Sequence, residues 1–68
     1  MIKDDQELEA MLDRIRHFQD QLAHLRNVET NPANYRLSAS SFLAEVDRMQ
    51  LEVREYLSVP AVEIETNA

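Results

Sequence analysis

The 68 residues include no cysteine, no glycine and no tryptophan, and only one lysine, Lys3. Without cysteine there is no disulfide framework, thiolate zinc site, c-type haem attachment or cysteine nucleophile. Without glycine there is no P-loop and no dinucleotide-binding turn, because both use backbone positions that only glycine adopts without strain. Basic side chains are outnumbered: seven Lys and Arg against thirteen Asp and Glu leave a net charge of −6. Nonspecific grip on nucleic acid or anionic lipid comes from clustered Lys and Arg, so neither nucleic acid nor a membrane is expected as a partner. No window approaches the roughly 18 apolar residues of a membrane span, and the first residues lack the basic-then-apolar run of a signal peptide. The expectation is one small cytoplasmic domain with no cofactor.

What is present is periodicity. Leu8, Met11, Ile15, Phe18, Leu22 and Leu25 follow spacings of three, four, three, four and three, with Leu12 widening the stripe. This is the seam a helix uses to meet another helix, and it predicts a helix over 4–28. Asp4, with Glu7 three residues on, marks the start as a capping box does. Glu29 to Leu37 breaks the pattern and is read as a connector, in which Asn31 before Pro32 signals a turn or a short helix start. Any of Ser38, Ser40 and Ser41 is a candidate cap for a second helix over 38–57. That helix carries Phe42, Val46, Met49, Val53 and Tyr56 at spacings of four, three, four and three, with Leu43 and Leu57 alongside. Pro60 ends it. The remainder, 58–68, is acidic and β-branched; Val62 and Ile64 alternate with Glu63 and Glu65, too briefly for a strand, and a frayed tail is expected.

A connector of this length predicts an antiparallel hairpin. If Leu25 lies beside Phe42, then Leu22 meets Val46, Phe18 meets Met49, Ile15 meets Val53 and Met11 or Leu12 meets Tyr56, with paired numbers summing to about 67 and the two heptad patterns in agreement throughout. Gln19 then falls opposite Gln50, either as two solvated amides or as a hydrogen-bonded polar layer. Two helices alone cover only a narrow strip of each apolar arc. Fully burying a large apolar side chain contributes roughly 1.5–3 kcal/mol, against roughly 1–2 kcal/mol of backbone entropy per ordered residue. Half-covered stripes on so short a chain leave little net stability. Two hairpins dimerising into a four-helix bundle remove the exposed half, so a homodimer is expected, with a larger oligomer as the extension. Its interface is assigned to Leu8, Met11, Leu12, Ile15, Phe18, Leu22 and Leu25 on the first helix, and to Phe42, Val46, Met49, Val53 and Tyr56 on the second.

Several clusters bear on chemistry. Asp13, His17, Asp20 and His24, spaced four, three and four apart, share one helical face, and imidazole with carboxylate at that spacing can hold a divalent metal. The same face reads equally as solvated Asp–His pairs pointing away from the core. The carboxylates Glu52 and Glu55, or Glu45 and Asp47, lack a pocket that would separate their pKa values, and neither histidine is near the serines. No catalytic residue is assigned, and the chain is expected not to be an enzyme. Tyr35 and Arg36 in the connector, and Leu51 on the face opposite the second stripe with Ala44 nearby, are candidate partner contacts. Alternatively, Tyr35 and Leu37 cover the end of the bundle near Leu25 and Val28, with Arg26 bonding the connector's carbonyls.

The run from Asn31 to Leu57, NPANYRLSASSFLAEVDRMQLEVREYL, resembles a family of small uncharacterised bacterial proteins built as helical hairpins. The opening Met-Ile followed by a heptad-rich helix is similar to helical extensions of toxin–antitoxin antitoxins. Neither resemblance brings a catalytic motif. The first implies a helical hairpin; the second implies an acidic helical protein seated against a basic partner such as a toxin ribonuclease. Three functional readings therefore stand: a non-enzymatic, self-associating interaction module, an antitoxin-like inhibitor, and a metal-binding bundle using the Asp13 to His24 face.

Overall fold

A computed structural model describes residues 1–61. Two helices, α1 over Asp5–Val28 and α2 over Pro32–Leu57, pack against each other as a hairpin, with no strand among the described residues. The all-helical hairpin expected from the two stripes is thus the fold of the chain.

Each helix starts where a side chain can satisfy its free amides. Asp4, extended at φ −151° and ψ 174°, accepts from the Glu7 N–H through Oδ1 at 2.8 Å. Glu7 Oε1 in turn accepts from the Lys3 N–H at 2.8 Å, so the two acids satisfy both directions at the positive helix end. α1 closes with the Glu29 N–H donating to the Leu25 carbonyl at 2.9 Å. Asn31 then caps α2: its Oδ1 accepts from Ala33 N–H at 2.9 Å and from Asn34 N–H at 3.2 Å, and Pro32, lacking an N–H, takes the first helical position.

This start corrects the expected boundary. α2 begins at Pro32 rather than at Ser38, and only Glu29, Thr30 and Asn31 connect the helices. Ser38, Ser40 and Ser41 therefore lie inside a helix and cap nothing; Ser40 Oγ donates to the Leu37 carbonyl at 2.8 Å. At the far end, the Ser58 N–H donates to the Arg54 carbonyl at 3.0 Å ahead of Pro60. The expected tail is described only to residue 61, and 62–68 lie outside the described residues. None of the described residues, the connector included, has a positive φ.

The shorter connector moves the register. Phe18 packs edge-on against Phe42, with ring centroids 5.7 Å apart, and Tyr56 Oη donates to Asp5 Oδ1 at 2.7 Å. Facing residues thus have numbers summing to 60 or 61, where pairing Leu25 with Phe42 gave about 67. The difference is one heptad. A seam that repeats every seven residues has the same facing chemistry after a slip of seven, so periodicity alone leaves the two registers equivalent, and the turn decides between them. Gln19 and Gln50 consequently are not opposite each other, and both are exposed. The true register also extends the α2 row backwards through Ala39 to Tyr35, placing Leu22 across from Ala39 and Leu25 across from Tyr35.

Ile15, Val46 and Met49 form the core, with Met11, Phe18 and Val53 packed against it. Met49 is fully enclosed and Ala39 is 1% exposed. Ile2, ahead of α1, is also buried: it lies between Ala10, Met11 and Arg14 of α1 and Glu52, Glu55 and Tyr56 of α2. These five apolar side chains are all that is buried among the described residues.

A double-mutant cycle with Phe18→Leu and Phe42→Leu tests the register. The expected coupling is about 0.5–1.5 kcal/mol, as for other edge-to-face pairs. A coupling indistinguishable from zero would return the hairpin to the longer connector.

Candidate interaction surface

The seam assigned from sequence is first of all the contact between the chain's own helices. Ile15, Val46 and Met49 are buried there. Leu8, Met11, Phe18, Leu22, Leu25, Phe42, Val53 and Tyr56 are only half-buried, and Leu12 is exposed. One hairpin thus leaves the outer side of most seam residues in water. Three members of the interior were not assigned to it from sequence. Ala39 continues the four-three spacing but was hidden by its small size; Tyr35 was placed in the connector; Ile2 stands outside the heptads, beyond the Asp4 cap.

The two flanks of the seam differ in chemistry. On one, Arg48 bonds both Glu45 and Glu52, the latter at 2.6 Å, and the Met1 amine lies 3.1 Å from Glu52. The hydrogen bond from Arg48 holds the Glu45 carboxyl below its usual range against the opposing effect of desolvation, with the Arg48 and Arg14 charges adding to the bond. The Arg48 guanidinium is pushed up by the same pairing. Exposed pairs of this kind contribute little stability, but they leave Arg48, Glu45 and Glu52 paired with one another. Ile2 fills the same flank at the open end of the hairpin, away from the connector. Toward the turn it remains an open groove of about 420 Å³, lined by Leu25, Val28 and Phe42 with His17 and His24 at its rim.

The opposite flank carries uncovered leucines. Leu12, Leu43 and Leu57 are 43%, 51% and 63% exposed. They occupy the position next to the seam in successive heptads of both helices, with Gln19 and Gln50 in the same two rows. A third apolar row, on the back of α2, contains Leu37 and Leu51 with Ala44 between them, all exposed. Leu37 therefore does not cover the bundle end. Tyr35 does so in part, half-buried in the first turn of α2, while Arg36 and Arg26 are exposed, and Arg26 makes no bond to the connector.

The other clusters are not drawn together. Asp13, His17, Asp20 and His24 are all exposed on α1, no second helix adds a ligand, and no group of three or more His, Cys, Asp or Glu among the described residues is placed to hold a metal ion. Glu45 and Glu52 are committed to Arg48. Nor is any helix among the described residues long and apolar enough to cross a membrane. No family model matches the chain, and no curated protein or solved structure matches it.

Among the described residues, Tyr56 and Asp5 form a side-chain hydrogen bond between the two helices at the open end. It pushes the Tyr56 hydroxyl up to about 12, chiefly because Asp5 accepts the proton's hydrogen bond, with desolvation and the charges of Asp5 and Asp4 adding to it. A group whose pKa is raised by folding stabilises the fold fully below its unfolded value and loses that contribution as pH rises through the folded value. Stability from this bond is therefore expected to hold to about pH 10, the ordinary tyrosine value, and to fade between there and about 12. In a Tyr35→Phe background, tyrosinate absorbance should titrate near the upper value, and Asp5→Ala should bring the midpoint back toward the lower one. An unchanged midpoint in Asp5→Ala would show that the bond is absent in solution.

Proposed function

We propose that this chain is a non-enzymatic self-associating module, whose hairpins pair into a four-helix bundle and present a largely acidic surface to a protein partner. The observation that carries this reading is the imbalance of its apolar side chains. Five are buried, while Met1, Leu12, Val28, Leu37, Leu43, Leu51, Leu57 and Val59 are exposed and most of the seam is half-wet. A soluble domain ordinarily covers such rows, and uncovered ones mark where another surface belongs. Association follows from helix packing, and partner choice from the net charge of −6, which favours a basic protein. A cytoplasmic setting suits a chain without cysteine.

Light scattering coupled to size exclusion, with circular dichroism on the same dilution series, tests the reading. The expected result is twice the chain mass at high concentration, with mass and helicity lost together on dilution, because hairpin and bundle share one interior. Leu22→Asp, which puts a charge against Ala39, should abolish both. A compact helical monomer at micromolar concentration would overturn the proposal.

A further inference from the structure

The leucine flank carries a charge pattern that identifies its occupant and orientation. At the turn end it presents Arg26 and Arg36, neither of which makes an ion pair among the described residues. At the open end it presents Asp5 beside Leu57, with Asp4 adjacent and Arg54, about five turns along α2 from Arg36, on the same line, so the acids there outnumber the one guanidinium. Between them lie two mixed layers, Leu12 level with Gln50 and Gln19 level with Leu43, as the observed register requires. All of these side chains are exposed except where Asp5 meets Tyr56.

Resting on the self-association proposed above, we infer that this flank receives a second copy of the chain, turned end for end about a twofold axis level with Ile15 and Val46. The row positions on α1 and on α2 are centred at that same level. The rotation therefore superimposes the rows without offset, placing α1 over α1 and α2 over α2. Arg26 and Arg36 of each copy meet the Asp5 end of the other, and the Arg36 stem covers Leu57 of the second copy. In each central layer Leu12 of one copy approaches Leu43 of the other across the bundle, and Gln50 approaches Gln19. The amides thus form, between chains, a polar layer of the sort that fixes orientation at some expense of stability.

A parallel dimer through the same flank would gather four arginines at one end, where like charges repel. On the other flank Arg48, Glu45, Glu52 and the Met1 amine are already paired with one another, and Ile2 lies buried toward its open end.

The absence of cysteine makes the test direct. Chains carrying Leu12→Cys and chains carrying Gln19→Cys are mixed and oxidised under mild conditions, since both positions are exposed and tolerate the change. In the end-for-end dimer these two positions face each other. Equal positions are offset by about 10 Å along the axis, beyond disulfide reach. The mixture is expected to give disulfide-linked dimer and either chain alone to lose it, because equal positions lie beyond disulfide reach. Preferential linkage of Leu12→Cys to Gln50→Cys would overturn the orientation in favour of the parallel one. No linkage in any mixture, with light scattering still reporting a dimer, would overturn the flank while leaving self-association standing. A monomer in light scattering would remove both.

Discussion

The three-residue connection between two capped helices is the constraint from which the remaining geometry follows. Asn31 satisfies the first amides of α2, Pro32 with its fixed φ and missing N–H suits the first helical position it takes, and α1 has already closed on its own carbonyl at Leu25. The fold back is therefore centred on Thr30. That centre brings Phe18 to Phe42 and Asp5 to Tyr56, makes Ala39 a core residue, and leaves Leu12, Leu43 and Leu57 in line along one side. The packing energy of the seam is similar in registers one heptad apart, so a few hydrogen bonds at the turn select between arrangements that the much larger apolar term does not separate.

The two stripes, the Asp4 cap and the antiparallel packing were legible from residue spacing, because helix periodicity is written in side-chain type. The register was not, for the same reason: a repeat of seven is blind to a slip of seven. The signal that resolves it was present in Asn31-Pro32, which reads as the start of α2 once its capping chemistry is given more weight than the three serines further on. Polar residues clustered at Ser38 to Ser41 suggested a helix boundary, yet a mid-helix serine can bond the preceding turn, as Ser40 does with Leu37. Ile2 was illegible because burial of a residue outside the heptads depends on how the chain enters α1, and that in turn on the exchange of hydrogen bonds among Lys3, Asp4 and Glu7.

The candidate surface was legible in kind but not in place. Length and arc width indicate that one hairpin leaves part of each apolar stripe uncovered. Which side lies bare became visible only with the register, since the same leucines pair differently under each alternative. The distribution of charge separates the two flanks further: one has Arg48 bound to Glu45 and Glu52, whereas the other has Arg26 and Arg36 at one end and Asp5 at the other, about 30 Å away by helix rise, with Arg54 near the Asp5 end. Such separation within one molecule is best relieved by a neighbour pointing the other way.

The absence of positive φ from the described backbone sets how the chain can vary over time. A reversal made wholly of backbone conformations open to ordinary residues tolerates exchange at Thr30 with little penalty. Length is another matter. One residue inserted in the seam of either helix turns everything beyond it by about 100°, carrying the apolar row out of contact, whereas seven restore it. Homologues of this hairpin should thus differ freely in the wording of the turn, and change size only in whole heptads.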